Sequence, residues 1–408
     1  MKIIDNESSS ETAADGVAPT SVSVVHVITR MIIGGAQENT LSSVVGLADL
    51  PGFDVRLVTG PETGPEGDLL AATMPRITVE YVPALRRSIH PLRDLRAAWS
   101  LYTLFRRTRP NVVHTHSSKA GVLGRIAAKA ARVPVVVHTL HGLPFHDYQP
   151  RALAFAYRSI KRTMAPLTDH YVSVSHEMAE KAVKARIGKP SRHSVIRSGF
   201  RTDLFADELL PKEEARLRLG LPPGRTVVGA VARLFPLKGH ADIVEAAAQV
   251  VARHPGVLFV LVGDGTLRAD LERTIADKGL TGHFQFLGLV DPEAMPAAYS
   301  SFDVLVHASR REGLARVFPQ AVIAGVPVVA YDLDGSAEVI HDGHNGFLVP
   351  PCDTDALAER LSRLVGDPDL RSRLGGAGRD RVQREFSAEE MVRRLAELYT
   401  NLLAASGR

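Results

Sequence analysis

The chain has 408 residues, 45% hydrophobic and 23% charged, which is the composition of a soluble globular protein and a length that predicts two or three domains. Its single cysteine, Cys352, excludes an internal disulfide and fits a reducing compartment. The net charge of +4 is unevenly distributed, because residues 21–197 carry 24 Lys and Arg against 12 Asp and Glu, whereas residues 198–408 carry 24 against 29. The basic first half indicates either an anionic partner or only an arginine-rich genome.

The first twenty residues show no periodic pattern. They are small and polar, so residues 1–20 are interpreted as a disordered tail. They lack the apolar core of a signal peptide, and no run in the chain reaches the roughly 18 apolar residues of a membrane span. We therefore expect a cytoplasmic protein.

Strand and helix patterns alternate from there on, which predicts an α/β protein with parallel sheets covered on both faces. A first strand, a Gly34-Gly35-Ala36 turn and a helix from Glu38 open the series. The strands predicted in this first series are Val22–Thr29, Val55–Thr59, Thr78–Val82, Val112–Thr115, Val135–Thr139 and Tyr171–Val174.

A second series begins after an aperiodic stretch, Ser198–Phe205. It contains a predicted helix over Asp242–Arg253 and a C-terminal helix near Ser387–Ala404, and its strands are Thr226–Ala232, Leu258–Val262, Phe284–Leu287, Val304–His307 and Val326–Tyr331. Two doubly wound domains, over residues 21–197 and 198–385, are predicted, with the functional site in a cleft between them and a terminal helix over residues 386–408.

The stretch Ser309–Gly325 is the most informative motif. It places Glu312 and Gly313 between a predicted strand and a predicted helix, where free backbone N–H groups can bind an anion. It resembles the Glu-x7-Glu donor-binding motif of retaining GT-B glycosyltransferases of family 4, except that the second position holds Gln320. This resemblance extends over about residues 22–405 and implies the GT-B fold, two Rossmann-like domains facing a cleft, with the C-terminal helix crossing back to the first domain.

Several loops resemble other motifs of this family in the expected order. Gly34-Gly35 resembles its GGxE loop, Arg233 to Lys238 its phosphate-binding GRL…KG segment, and His141-Gly142 its HG turn. The resemblance implies that Glu312 and His141 support catalysis at the transferred sugar. Two cations five residues apart could also clamp a diphosphate on physical grounds. The donor-binding residues implied are Gly34, Gly35, Arg233, Lys238, Gly263, Leu287, Gly313, Leu314, Ala315, Arg316, Val317 and Gln320.

Gln320 departs from the motif at the ribose-binding position. A Gln offers one acceptor oxygen and two donors in place of a carboxylate. The departure predicts weaker nucleotide affinity rather than lost activity.

Five histidines within a short stretch, His114, His116, His138, His141 and His146, raise the question of a metal site. Their spacing puts them at strand ends rather than on one helix face, and no cysteine assists, so no metal is predicted. Asp332-Leu-Asp334 is interpreted as a loop. We expect no cofactor beyond the nucleotide-diphosphate sugar, which is a co-substrate.

The acceptor is predicted from the basic first half. Between Tyr81 and Asp147 only Asp94 is acidic, and a helix-like segment there combines arginines with Trp99 and Tyr102. An ordinary amphipathic helix explains the apolar positions, but a basic aromatic surface also suits an anionic membrane. We expect a lipid-linked saccharide acceptor, peripheral binding to the inner face of the plasma membrane, and no nucleic-acid partner.

The resemblance to bacterial surface-polysaccharide enzymes implies a hexose or N-acetylhexosamine donor, UDP-linked. Three alternatives stay open: a sugar-nucleotide epimerase of the same fold, a nicotinamide oxidoreductase and a non-catalytic sugar-nucleotide-binding protein. The oxidoreductase would need a G-x-G-x-x-G turn, which IIGGAQENT lacks. The binding protein would be expected to lose Glu312 or the Arg233 and Lys238 clamp, and both are present.

Overall fold

The structure, a computed structural model, describes residues 21–63, 67–70, 77–146 and 148–407. The predicted tail over residues 1–20 lies outside the described residues. The described residues form two compact units: the first comprises those within Met1–Phe200 and Ser387–Arg408, and the second comprises Arg201–Phe386. The C-terminal segment therefore belongs to the first unit.

The first unit is built on a parallel sheet. Within the described residues it has seven strands in the order β3-β2-β1-β4-β5-β6-β7. These are β1 (Val22–Ile28), β2 (Phe53–Thr59), β3 (Thr78–Tyr81), β4 (Val112–Thr115), β5 (Val135–Leu140), β6 (His170–Ser173) and β7 (His193–Val195). Its longer helices are α1 (Gly35–Ala48), α2 (Pro91–Thr108), α3 (Ser118–Ala130), α4 (Arg151–Met164) and α5 (His176–Lys184).

The second unit repeats this architecture. Among the described residues, six parallel strands take the order β10-β9-β8-β11-β12-β13. They are β8 (Thr226–Val231), β9 (Val257–Val262), β10 (Phe284–Gly288), β11 (Val304–His307), β12 (Val328–Tyr331) and β13 (Gly346–Val349). The helices are α6 (Asp203–Ala206), α7 (Lys212–Arg218), α8 (His240–Arg253), α9 (Arg268–Asp277), α10 (Met295–Ser301), α11 (Val317–Ile323), α12 (Thr354–Gly366), α13 (Pro368–Gly376) and α14 (Arg379–Glu385).

Both sheets follow from the sequence pattern. Strands β4, β5, β9 and β11 are buried along their whole length, as expected for parallel strands covered by helices on both faces. Each predicted strand is present. The short strands β7 and β13 were not predicted, and α1 begins at Gly35 rather than at Glu38.

The last helix, α15 (Ala388–Ser406), packs on the first unit. Its buried side chains Met391, Val392, Leu395 and Tyr399 join the core cluster that contains Val24 and Val44. The close approach to α1 leaves no room at Gly46, where a Cβ would lie 2.4 Å from a methyl group of Val392. None of the helices in the described part of the chain is both long enough and apolar enough to cross a membrane.

Strand order fixes where a ligand can bind in each unit. The order reverses direction between β1 and β4 in the first unit and between β8 and β11 in the second. Loops at the carboxyl ends of such neighbouring strands diverge and leave a crevice. The motif loops that follow β1 and β8, and the Glu312 loop that follows β11, all begin at these positions.

Candidate active site

Two loops of the second unit are joined where the strand order reverses, between β8 and β11. The backbone N–H of Arg310 donates to the carbonyl oxygen of Leu237 at 2.8 Å, and the Ser309 hydroxyl donates to the same oxygen at 3.1 Å. Gly239 permits this approach, because a Cβ there would lie 1.8 Å from the carbonyl oxygen of Ala308 and its φ is +71°. The loop that carries Lys238 is therefore held against the loop that carries Glu312.

Glu312 and Lys238 form an ion pair in this site. The Lys238 Nζ lies 2.5 Å from the Glu312 Oε1, and the side chains are only 22% and 19% exposed. Nε2 of His307 lies 3.2 Å from the same oxygen. Burial opposes ionisation of Glu312, but the Lys238 charge and the His307 hydrogen bond outweigh it and hold the pKa of Glu312 well below its usual range. The site therefore contains a carboxylate that is ionised at neutral pH.

The Glu312 backbone is held from a third side. Its N–H donates to the Asp334 carboxylate at 2.8 Å, and Asp334 adopts a left-handed φ of +54° after strand β12. This contact gives the Asp332-Leu-Asp334 loop a structural role. As predicted, Glu312 and Gly313 lie between a strand and a helix, because β11 ends at His307 and α11 begins at Val317.

A polar cluster of Arg310, Asp242 and Tyr331 anchors the loop that carries Glu312. Arg310 contacts both carboxylate oxygens of Asp242, at 2.6 and 3.2 Å, and the Tyr331 hydroxyl donates to Asp242 at 2.9 Å. Burial, with the Asp242 contact, raises the pKa of Tyr331, so this phenol remains a neutral donor. The paired geometry favours Arg310 as an anchor for the loop.

Gln320 lies in the middle of α11 and does not contact Glu312. Its Oε1 accepts a hydrogen bond from the buried Tyr299 hydroxyl at 2.9 Å. One of the two lone pairs of the amide oxygen is therefore used, and the NH₂ group keeps its two donors. Leu314 and Ala315 are buried in the loop before α11, with Gly313 before them and Arg316 at the helix start.

The remaining donor-site candidates of the second unit lie on the loops that follow β8 and β9, and in strand β10. The Arg233 guanidinium lies over the Phe235 ring at 5.1 Å, five residues before Lys238. Gly263 has φ +130°, and a Cβ there would lie 2.2 Å from the carbonyl oxygen of Ala232. Leu287 lies in β10. The glycine is thus required by a close backbone approach beside the Arg233 loop.

The candidates of the first unit lie at the ends of β1 and β5. Gly34 caps α1 and Gly35 is its first residue. His141 follows β5, half-buried, with its Nε2 3.0 Å from Nδ1 of His116. Burial, assisted by the Lys161 charge, lowers the pKa of His141 to about 4, so its imidazole is neutral at neutral pH.

The predicted histidines are joined by one that sequence reasoning missed, His26 on β1. Ring nitrogens of His26, His114 and His116 lie within 4.8 Å of one another, a spacing compatible with a metal ion. Each of their six ring nitrogens already hydrogen-bonds to another protein group, so a metal would have to displace these contacts. His138 is not part of this cluster and hydrogen-bonds to Thr115 and Lys161 instead. His146 is half-buried in the loop after β5. The donor set therefore fits a hydrogen-bonded cluster better than a metal site.

Other contributors could not be found from sequence. Tyr299 and Asp334 are 21 and 22 residues from the groups they contact. His307 had a usable signal, since it ends a buried strand five residues before Glu312.

Comparison with known proteins identifies the relatives of this chain. The sequence model of the family described as glycosyl transferases group 1 matches residues 211–381, and that of the glycosyl transferase 4-like domain matches residues 34–199. The UDP-Gal:alpha-D-GlcNAc-diphosphoundecaprenol alpha-1,3-galactosyltransferase of Escherichia coli is 29% identical over 387 residues, covering 94% of this chain and 98% of that protein.

A second relative and a solved structure agree with this result. The 2-deoxystreptamine glucosyltransferase of Streptomyces kanamyceticus is 30% identical over 339 residues, covering 76% of this chain and 84% of the relative. The crystal structure of Anabaena Alr3699/HepE in complex with UDP and glucose superposes with a TM-score of 0.79 at 23% identity, covering 93% of this chain and 100% of that one. The fold is GT-B, as predicted.

Proposed function

Since the chain belongs to the group 1 family of glycosyltransferases, we propose that it transfers a hexose or N-acetylhexosamine from a UDP-linked donor with retention of anomeric configuration. The observation that carries this proposal is the Lys238–Glu312 ion pair at the β8/β11 switch of the second unit. It pairs a cation suited to a diphosphate with a carboxylate that stays ionised. The E. coli relative is named for a UDP-Gal donor, and the Anabaena structure contains UDP and glucose, which supports the UDP-linked donor.

The chemistry follows from these charges. Arg233 and Lys238 bind the donor diphosphate and stabilise the negative charge that grows on it as the sugar–phosphate bond breaks. Glu312 stabilises the positive charge that develops at the sugar. The acceptor oxygen forms the new bond to the anomeric carbon on the same face, and its proton passes to the departing phosphate oxygen. His141, neutral at neutral pH, hydrogen-bonds to the transferred sugar.

Backbone and amide groups would hold the rest of the donor. Gly34 and Gly35 allow close approach of the first-unit backbone to the donor phosphates, and Gly313 to Val317 present N–H groups to the sugar and diphosphate. Gly263 and Leu287 shape the nucleotide pocket. Gln320 donates from its NH₂ group to the ribose, while its oxygen accepts from Tyr299.

The acceptor is a lipid-linked saccharide that carries a diphosphate, used in cell-surface polysaccharide synthesis at the inner membrane face. Helix α2 supports this assignment. Its inner side is buried through Ala97, Leu101 and Phe105, yet a second apolar row, Leu92, Leu95 and Trp99, is 67%, 69% and 66% exposed. Arg93 and Arg96 lie in the same helix, and Arg86 and Arg87 shortly precede it. Exposed apolar side chains among arginines are typical of a helix that lies on an anionic membrane.

The decisive experiment is an incubation with nucleotide sugars and lipid-linked acceptors, with the product identified by NMR. Donors are first selected by a thermal-shift screen against UDP, GDP, ADP and TDP, because binding raises the unfolding temperature by mass action. A new α-linked glycoside from an α-linked UDP-sugar is expected. An epimerised sugar nucleotide without a transferred glycoside, or binding without turnover, would overturn the proposal in favour of an epimerase or a binding protein.

A further inference from the structure

A continuous series of hydrogen bonds connects the C-terminal helix to His141 in the first unit. The Tyr399 hydroxyl on α15 lies 3.4 Å from Nε2 of His26 on β1. Nδ1 of His26 lies 3.0 Å from Nε2 of His116, and Nδ1 of His116 lies 3.0 Å from Nε2 of His141. We call these four residues the histidine chain. Its members are far apart in sequence, since Tyr399 and His26 differ by 373 positions.

The histidine chain consists of neutral groups. Tyr399, His26 and His116 are fully buried, and burial lowers the pKa of His26 to about 3 and that of His116 well below its usual value. Burial also raises the pKa of Tyr399. A neutral imidazole has one N–H donor and one bare nitrogen. Every bond in the chain must therefore point in the same direction along it.

A side branch at Tyr399 sets that direction. The hydroxyl also lies 2.5 Å from Nδ1 of His114, far closer than its 3.4 Å contact with His26. A phenol is a stronger acid than a neutral imidazole N–H, so the single Tyr399 proton belongs in the shorter bond, to His114. The Tyr399 oxygen then accepts from His26, and His26 Nδ1 must accept from His116.

The same reasoning ends at His141. His116 uses its N–H toward His26, so its bare Nδ1 must accept from Nε2–H of His141. We propose that Tyr399, His26 and His116 are positioning residues that fix His141 in the tautomer with its proton on Nε2 and Nδ1 bare. His141 would then present a hydrogen-bond acceptor, not a donor, to a hydroxyl of the transferred sugar, a step that rests on the proposed function.

Nitrogen NMR of the full chain labelled with ¹⁵N-histidine tests the tautomer without any substrate. His141 is assigned from the signals lost in His141→Asn. At pH 7.5 we expect protonated-type Nε2 and bare-type Nδ1 signals for His141 in the wild type. In Tyr399→Phe, where His26 loses its acceptor, we expect signals of mixed tautomers. A protonated Nδ1 in the wild type, or an unchanged His141 in both Tyr399→Phe and His116→Gln, overturns the proposal.

Activity provides a second readout with a matched control. We expect Tyr399→Phe to lower kcat about tenfold with the donor KM little changed, the scale of losing a group that orients a functional imidazole. Tyr171→Phe removes another fully buried hydroxyl from the same unit, outside the histidine chain, and we expect kcat within about twofold of the wild type. Equal loss in both variants would contradict a positioning role. If the predicted tautomer is found but no donor is turned over, the proposed function fails while the hydrogen-bond direction stands.

Zinc addition separates the histidine chain from a metal site. One equivalent of Zn²⁺ is added to the wild type. We expect no change of the His26, His114 and His116 signals, because all their ring nitrogens are engaged. Stoichiometric shifts of all three would show that they bind a metal and would overturn the proposal.

Discussion

The Lys238 ammonium and the Glu312 carboxylate meet at 2.5 Å across 74 residues of chain, in a site where both side chains are largely buried. Lys238 thereby holds Glu312 ionised against the effect of burial. A donor diphosphate would compete for the same ammonium, so donor binding and the charge on Glu312 are coupled. Removing either partner should therefore affect catalysis more than folding, because each remaining group retains some access to water.

Glu312→Ala and Arg233→Ala should each lower turnover about a hundredfold or more, the scale of one lost transition-state contact. The physical reason is the loss of a charge that faces the developing sugar cation or the leaving diphosphate. The turnover is measured by steady-state kinetics with the donor selected in the thermal-shift screen. Glu272→Ala is the matched control, because it removes a carboxylate from an exposed ion pair with Arg268 in the same unit. Near-wild-type turnover of both test variants, with folding intact, would remove the catalytic assignment.

Lys161→Met should raise the free energy of unfolding by about 2 kcal/mol at pH 7, because Met removes the cost of burying an ionisable amine. Burial lowers the pKa of Lys161 from 10.5 to about 7. Between these values the unfolded state binds more protons, so wild-type stability should rise with pH and the gain from Met should shrink toward pH 10. Urea unfolding at both pH values measures this gain.

The exposed Lys184→Met is the control and should leave stability within about 0.5 kcal/mol of the wild type. A variant of Lys161 that is less stable at pH 7 would show that its 3.1 Å contact with His138 outweighs the burial of the amine.

Much of the fold could be predicted from the sequence because it rests on local periodicity. The buried runs of β5 and β9 have six residues each and are long enough to recognise, whereas β7 and β13 have only three and four residues. Glu312 was placed correctly on the turn before α11, but the contacts that hold this turn, to Leu237 and Asp334, are revealed by no local pattern.

The candidate site likewise has residues that a local pattern places and residues that only long-range contacts place. Lys238 and Glu312 each follow a strand, so strand order alone brings their loops together. The contributions of Tyr399 and His26 depend on contacts across most of the chain and required the structure. The contact of Gln320 with the buried Tyr299 also required the structure, because the motif does not include this tyrosine.

Gln320→Glu should preserve folding and tighten UDP binding by about 1 kcal/mol, the gain of a charge-assisted over a neutral hydrogen bond. A carboxylate can accept from Tyr299 with one oxygen and from the ribose with the other. Calorimetric titration with UDP measures the change, with Gln285→Glu, a half-buried position on β10, as control. Unchanged affinity would show that Gln320 does not contact the ribose.

Transfer should require no divalent metal. Arg233 and Lys238 supply the positive charge that a metal would otherwise bring to the diphosphate, and Asp334 is engaged with the Glu312 backbone. Activity is measured after EDTA treatment and after adding back Mg²⁺ or Mn²⁺. Activity that EDTA abolishes and either ion restores would contradict this expectation.

The exposed face of α2 should bind anionic membranes. Leu92, Leu95 and Trp99 can insert at the headgroup level while the neighbouring arginines each contribute on the order of 1 kcal/mol at low salt. Co-sedimentation with vesicles of anionic lipid should retain the wild type, and high salt should release it. The double variant Leu95→Ser with Trp99→Ser should lose this retention, whereas Leu217→Ser, which alters an 81% exposed leucine of the second unit, should keep it. Because Ala97 and Leu101 carry the inner packing of α2, the double variant should fold normally, which its thermal unfolding checks. Absence of binding to either anionic or neutral vesicles, together with efficient transfer to a soluble sugar, would refute both the membrane surface and the lipid-linked acceptor.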